Sequence, residues 1–174
     1  MRKAWSVAGL VAAAVFALNA AAASAAAPAP RIHITDLKQL PVPLPYPYDE
    51  TADADAQVAA AFARARKSGK RVLIHLGGNW CGDCRILDGV MELPEMKPFM
   101  AAHYEMVMVD VGRFNKNMHI PARWGLGKLE KGVPTVIIAD ANGKAVNISN
   151  AADLEGARSM TPQGIADWLA RWTK

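Results

Sequence analysis

The chain has two cysteines, Cys81 and Cys84, and both lie in the segment Trp80-Cys81-Gly82-Asp83-Cys84. In a Cys-x-x-Cys pair the second thiol can reach a disulfide formed by the first across one helical turn. Thiol pKa values in such pairs fall to roughly 3.5–7.5, and a helix N-terminus favours the thiolate. We therefore expect Cys81 to be the nucleophile and Cys84, one turn further into a helix, to be the buried resolving thiol.

Two other uses of the pair remain open. A structural disulfide is one, although so short a loop stabilises a fold little. A metal site is the other, but it would need further soft ligands. The candidate ligands have no recognisable metal-ligand spacing: His75, His103, His119, Met91, Met96 and Met100. Because methionines at such spacings more often pack in a core, we predict no metal and no cofactor.

The composition narrows the class of protein. With 174 residues, of which 52% are hydrophobic and 21% charged, the chain can form one domain with a substantial core. Two cysteines are too few for a disulfide-stapled mini-domain or for a zinc site made of four cysteines. There is no basic run with interleaved aromatic residues, so we expect no nucleic-acid partner.

Residues 1–25 have the pattern of an export signal. Arg2 and Lys3 precede an apolar run, and Ala23-Ser24-Ala25 matches a signal-peptidase site. Cleavage there would leave about 149 residues and lower the formal net charge from +4 to +2. We expect a periplasmic protein without a stable membrane anchor, with an uncleaved anchor helix as the alternative.

Residues 26–50 form a proline-rich extension. Pro41, Pro43, Pro45 and Pro47 alternate with apolar residues, which excludes a helix or a central strand and favours extended chain. A proline-rich ligand for a partner is one interpretation. A strap along the domain surface, held by the tyrosines at positions 46 and 48, is the interpretation that we favour.

Residues 51–174 alternate between helical and strand patterns. We predict strands at 71–76, 104–111, 133–139 and 144–148, with helices at 51–68, from the cysteines to Pro94, from Pro98, at 120–124 and after Thr161-Pro162. Helices between the first three strands predict parallel pairing by crossovers. The turn at Asn142-Gly143 predicts an antiparallel fourth strand. The fold class is therefore α/β, with a mixed sheet between helices.

The cysteine segment, placed after a buried strand, resembles the active site of the thioredoxin superfamily. Gly132-Val133-Pro134-Thr135, before a later strand, resembles the cis-proline motif of that family. The resemblance covers residues 51–174 and implies a thioredoxin-like three-layer sandwich. It also implies that the Val133–Pro134 bond is cis, that this loop pairs with an extended substrate around its disulfide, and that Trp80 belongs to the docking surface.

The chain departs from cytosolic thioredoxin at several positions. His75 replaces the buried acid of the family, and we expect a hydrogen-bonded core histidine, with proton transfer to Cys84 as the alternative. Asp83 places a negative charge beside the pair, which opposes the Cys81 thiolate and favours a reducing poise. We expect Asp88 to be a solvated charge. Residues 112–117 and 128–131 resemble insertions of exported thioredoxin-like proteins of bacteria.

These features predict an exported thiol–disulfide oxidoreductase that acts on protein substrates as a reductant or isomerase rather than as a strong oxidant. Cys81 and Cys84 carry the reaction, and a membrane thiol donor is expected to re-reduce the pair. The alternative is a binding module that uses the dithiol for copper delivery or apocytochrome handling.

Overall fold

The computed structural model describes residues 25–173, so the predicted export signal lies outside the described residues except for Ala25. The elements follow one another as α1 (Ala54–Ser68), β1 (Arg71–Gly77), α2 (Gly82–Met91), α3 (Met96–His103), β2 (Tyr104–Asp110), α4 (His119–Ala122), β3 (Thr135–Ala139) and α5 (Pro162–Arg171). No helix in this part of the chain is long and apolar enough to span a membrane.

Helix ends follow the local signals in the sequence. Asp53 caps α1 by accepting from the Ala56 amide, and Gly69 ends the helix with a φ of 73°. Because only glycine adopts this left-handed conformation freely, it stops the helix where the pattern predicted. Thr161 caps α5 and is followed by Pro162 in the first turn, which confirms the predicted start.

The sheet has the strand order β2-β1-β3, with β1 in the centre. β1 and β2 are parallel, whereas β1 and β3 are antiparallel. The prediction that the first three strands are all parallel was therefore wrong. The connection between β2 and β3 contains only the four-residue helix α4, and it returns to the sheet at the end where β2 finishes. Because β3 starts at that same end of the sheet, it runs in the opposite direction to β1 and β2.

The predicted fourth strand is also wrong. Only a single bridge joins Ala139 to Ala145 in this part of the chain. The Asn147 side chain takes the place of the strand, since its Oδ1 accepts from the Ile138 amide at 2.8 Å and its Nδ2 donates to the Val136 carbonyl at 2.8 Å. A buried side-chain amide thus satisfies the edge of β3 that a further strand would have paired.

The helices cover both faces of the sheet, as the sequence predicted. One face carries Leu73, Val136 and Ile138, which pack with α2, α3 and α5. The other face carries Val72, Ile74 and Ile137, which pack with α1. The buried methionines belong to the first of these cores, in agreement with the packing interpretation: Met91, Met96 and Met100. The result is an α/β sandwich.

The extension from 26 to 50 packs against the domain as a strap. Its Ile32 amide donates to Gln163 of α5, and its His33 amide donates to Glu95. Further along, Arg85 of α2 donates to the carbonyls of Leu44 and Pro45 at 2.8 and 2.9 Å. Buried side chains along the strap join the core: Ile32, Ile34, Leu40 and Tyr48. These contacts agree with the strap interpretation, and they reach deeper than the surface contacts that we expected.

Replacing a buried strap residue should destabilise the whole domain. Leu40 is 5% exposed and packs in the core of α2 and α5, so Leu40→Ala should lower the free energy of unfolding by about 2 to 5 kcal/mol. The matched control is Val42→Ala, since Val42 lies on the same strap but is 84% exposed. It should change the free energy by less than about 0.5 kcal/mol. Urea unfolding followed by tryptophan fluorescence measures both, and equal effects would contradict a docked strap.

Candidate active site

The cysteine pair lies where the central strand ends and α2 begins. Cys81 is the N-cap of α2, and its Sγ accepts from the Cys84 amide at 3.1 Å. The two residues are joined by a disulfide, with Cα atoms 5.3 Å apart. Cys84 is fully buried, whereas Cys81 is 6% exposed. The amide that now faces the Cys81 sulfur is positioned to stabilise a thiolate there once the disulfide opens.

The loop before β3 faces the Cys81 sulfur. The Val133 carbonyl oxygen lies 3.5 Å from Cys81 Sγ, and the peptide bond between Val133 and Pro134 is cis. The loop is held on its other side by Thr135, whose hydroxyl donates to the Gly132 carbonyl at 2.8 Å. Two segments that are 52 residues apart in sequence thus meet at the Cys81 sulfur.

An exposed aromatic cluster flanks the pair. Trp80 is 40% exposed and donates through Nε1 to the Gly112 carbonyl at 2.7 Å. Arg113 places its guanidinium 4.3 Å from the Trp80 ring centre, and Phe114 meets the same ring edge-on at 6.0 Å. Sequence reasoning treated residues 112–117 only as an insertion and missed this contact. The sequence signal that could have revealed this contact is Arg113-Phe114, an arginine next to an aromatic residue within a loop.

Asp83 is not an uncompensated charge. Its carboxylate accepts from the Arg158 backbone amide and from the guanidinium Nε at 2.8 and 2.9 Å, and from Nη2 at 2.6 Å. Burial favours a raised pKa, but the hydrogen bonds and charge of Arg158 outweigh it and hold the Asp83 pKa below its usual value. The repulsion that we expected at the Cys81 thiolate is therefore offset by a cation that sequence reasoning missed.

His75 lies in the interior of the sheet and is fully buried. The expected core position of His75 is therefore confirmed, but neither ring nitrogen has a hydrogen-bond partner in the described part of the chain, so the expectation that it is hydrogen-bonded was wrong. Burial lowers the pKa of His75 to about 3, so the ring is neutral near pH 7. Its nearest aromatic neighbour is Tyr48 of the strap, with ring centres 5.3 Å apart.

Asp88 is buried on α2, one turn after Cys84, and is only 6% exposed. The expectation of a solvated charge was therefore wrong. Burial, together with the charge of Glu92, raises the pKa of Asp88 to about 6. The strap packs against α2 at the next residue, since Leu44 and Leu40 side-chain atoms lie 3.3 and 3.5 Å from a Cβ built on Gly89, and the periodicity of α2 gave no sign of this contact.

Two further histidines that we considered as metal ligands, His103 and His119, contact residues other than the cysteines. His103 packs against Phe99 with ring centres 4.6 Å apart, and His119 pairs with Asp55 at 2.7 Å. Within residues 25–173, no three histidine, cysteine, aspartate or glutamate side chains are arranged to hold a metal ion.

Comparison with known proteins places this site in a family. A family model described as thioredoxin-like matches residues 53–141. Among solved structures, a disulphide isomerase from Xylella fastidiosa Temecula1 is 37% identical, with a TM-score of 0.69, over 74% of this chain and 97% of that one. A DsbH oxidoreductase is 21% identical, with a TM-score of 0.42, over 59% and 81% of the two chains. No curated protein matches the sequence.

The chain therefore belongs to the thioredoxin-like family. Together with the Cys81–Cys84 disulfide, this membership makes it a thiol–disulfide oxidoreductase.

Removing either partner of the Asp83–Arg158 pair should change the reactivity of Cys81 in opposite directions. Asp83→Asn leaves the Arg158 guanidinium at the start of α2 without its carboxylate partner. The guanidinium lies close to this helix end, because a Cβ built on Gly82 would stand 3.2 Å from Arg158 Nη2. Arg158→Gln leaves the uncompensated carboxylate. The pH midpoint of Cys81 alkylation by iodoacetamide should fall by roughly 0.5 to 1 unit in the first variant and rise in the second.

The control for this experiment is Asp55→Asn, because Asp55 also lies in the first turn of a helix and pairs with an arginine, Arg123. It should leave the alkylation midpoint unchanged. Shifts of the same sign in both Asp83→Asn and Arg158→Gln would show that the pair acts on Cys81 through structure rather than charge.

Asp88 should make the protein less stable as the pH rises. Its pKa is about 6 in the folded state, against an ordinary aspartate value of 3.8, so the folded state holds a proton that the unfolded state has released between these values. The contribution of Asp88 is thus present below about pH 4 and is lost by about pH 6. Asp88→Asn should raise the free energy of unfolding at pH 7 by about 2 to 3 kcal/mol, with little effect at pH 3.

Asp167→Asn is the matched control, since Asp167 is an exposed helical aspartate of α5. Urea unfolding at a series of pH values measures the difference between each variant and the parent chain. A difference for Asp88→Asn that does not depend on pH would contradict the assignment.

Proposed function

We propose that this chain is an exported enzyme that reduces or isomerises disulfides of protein substrates through Cys81 and Cys84. One observation carries the proposal: the Cys81 sulfur lies between the first turn of α2 and the Val133 carbonyl. A sulfur in this position meets amide dipoles that favour the thiolate on one side and an extended backbone segment on the other.

The reaction begins with the pair in its dithiol form. The Cys81 thiolate attacks one sulfur of a substrate disulfide, so that a Cys81–substrate disulfide forms and the other substrate sulfur leaves as a thiolate. Cys84 then loses its proton and attacks Cys81 Sγ. The Cys81–Cys84 disulfide forms, and the second substrate sulfur leaves and takes up the proton. The substrate gains two electrons, and the pair is oxidised to the disulfide form described above.

The surroundings of Cys81 suggest how a substrate docks. In our proposal the backbone at Val133 and Pro134 aligns an extended substrate segment beside the sulfur. Trp80 forms the adjoining wall, and its contacts with Gly112 and Arg113 hold the ring in place. The exposed Trp80 and Phe114 would then contact apolar side chains next to the substrate cysteine.

The direction of electron flow is proposed to be that of a reductant or isomerase. The charge of Asp83 supports this less than the sequence suggested, because Arg158 compensates it. The stronger support is the 37% identical structure, which is described as a disulphide isomerase. Isomerisation requires the pair to act in its reduced form, so the chain needs an electron donor.

Export completes the proposal. The pattern of residues 1–25 favours delivery to a periplasm, where soluble NADPH-dependent reduction is absent. We therefore propose that a membrane thiol donor reduces the Cys81–Cys84 disulfide after each turnover. His75 and Asp83 are proposed to tune the pair rather than to react with the substrate.

Single cysteine variants test the proposed mechanism. Cys81→Ser should abolish insulin reduction, because Ser cannot form the mixed disulfide. Cys84→Ser should still attack the substrate but cannot release it, so a covalent complex should accumulate on non-reducing gels. Turnover that survives in Cys81→Ser would refute the mechanism. Stoichiometric copper retained by the parent chain after dialysis would instead favour the binding-module alternative.

A further inference from the structure

A buried hydroxyl lies beside the resolving cysteine without a partner. Tyr48, from the end of the strap, is 3% exposed, and its Oη has no hydrogen-bond partner within residues 25–173. Leaving a buried hydroxyl unpaired is costly, and nearly all such groups in folded proteins are satisfied. The disulfide form of this protein therefore carries a polar group whose partner is missing in that state.

The Cys84 sulfur is the candidate partner for this hydroxyl. The Tyr48 hydroxyl and the Cys84 sulfur both lie over Gly77, the last residue of β1. A Cβ on Gly77 would stand 2.7 Å from Cys84 Sγ and closer still to Tyr48 Oη. The glycine thus leaves a space that the hydroxyl and the sulfur share. In the disulfide, this sulfur is bonded to Cys81 and carries neither a proton nor a charge.

The backbone of Tyr48 is tied to the loop that bears the cysteines. Its amide donates to Asn79 Oδ1 at 3.2 Å, and Asn79 Nδ2 donates back to its carbonyl at 2.8 Å. Asn79 lies two residues before Cys81. This reciprocal pair of hydrogen bonds holds the backbone of Tyr48 against the turn that precedes the cysteines.

We propose that the Tyr48 hydroxyl donates a hydrogen bond to the Cys84 sulfur when the disulfide opens, and that it stabilises the Cys84 thiolate during resolution. This inference deepens the proposed function, on which it rests, because it assigns a partner to the resolving thiol. The position that holds a buried acid in thioredoxin is His75 here, so the strap supplies from outside the sheet a group that interacts with the buried sulfur.

The chemistry requires only that the hydroxyl keep its proton. When Cys84 attacks the mixed disulfide, its own proton goes to the departing substrate thiolate, and the Cys84 sulfur is negative in between. Tyr48 gives up no proton and only donates a hydrogen bond. Burial, with the charges of Asp88 and Asp110, raises the pKa of Tyr48 well above its usual value, which keeps it a donor. The neutral His75 ring completes the surroundings.

The test is the thiol–disulfide equilibrium of purified full-length chain with glutathione, which needs no protein substrate. Tyr48→Phe retains the ring and removes the donor, so it should shift the equilibrium about tenfold toward the disulfide, a potential about 30 mV more negative. Tyr46→Phe is the matched control, because Tyr46 lies on the same strap but is 65% exposed. It should leave the equilibrium unchanged.

The stability of the two redox forms provides a second measurement. Because the hydroxyl is unpaired in the disulfide form, Tyr48→Phe should leave the melting temperature of oxidised protein unchanged or raise it, and should lower that of reduced protein. An equilibrium shift below threefold, or equal losses of stability in both forms, would overturn the proposal.

A measurement on the parent chain covers the case in which the variant does not fold. The chain has three tyrosines, so Cζ-labelled tyrosine gives three NMR signals. Reduction should move the Tyr48 signal and leave those of Tyr46 and Tyr104 in place, since Tyr104 already donates to the Leu169 carbonyl. An unmoved Tyr48 signal would overturn the inference. A chain that shows these effects but reduces no protein disulfide would refute the proposed function alone.

Discussion

Cys84 is buried in the first turn of α2, although its sulfur must carry a negative charge in the exchange reaction that we propose. A charge in such surroundings is unfavourable unless donors face it. The first turn of α2 directs its dipole and the Cys84 amide at the neighbouring Cys81 sulfur, so it favours a negative charge on Cys81 more than on Cys84. The surroundings of the Cys84 sulfur therefore depend on the side chains that other segments place over Gly77. Those segments come from distant parts of the chain.

Three such segments converge on the pair. The loop at Val133 meets Cys81 on one side, the turn around Arg158 neutralises Asp83 on another, and the strap closes the space around Cys84. Each contact joins residues that lie tens of positions apart. The strap is thus part of the environment of the cysteine pair, because Leu40 and Leu44 pack against α2 at Gly89 and the Tyr48 hydroxyl lies over Gly77 together with the Cys84 sulfur.

The balance of charge around the site differs from what its sequence neighbours suggest. Asp83 immediately precedes Cys84, yet its carboxylate is held by a guanidinium from a remote turn. Asp88 follows on the same helix, yet burial disfavours its charge. A count of the charges on α2, which are Asp83, Arg85 and Asp88, would predict an anionic environment. In the folded protein one carboxylate is compensated and the other tends to be neutral below about pH 6.

Local signals in the sequence were sufficient where a short segment decides the structure. The Cys-x-x-Cys spacing, the buried run of β1, the glycine that ends α1 and the Thr161-Pro162 start of α5 act over a few residues, so each predicted its element correctly. The fold class followed from the alternation of these elements, and Cys81, Cys84 and the loop at Pro134 marked the segments that meet at the candidate site.

Only the tertiary structure decided the features that depend on distant partners. The direction of β3 was set by the end of the sheet to which the connection from β2 returns. Asn147 took the place of a fourth strand, because its side chain forms hydrogen bonds with the backbone of β3. The sequence likewise contained Arg158 and Tyr48 without any spacing that related them to the cysteines, and the position of Asp88 one turn after Cys84 did not reveal its burial. Burial and charge compensation arise from packing between remote segments, so residue type and local order determined the chemistry of this protein, and its fold decided which groups act on that chemistry.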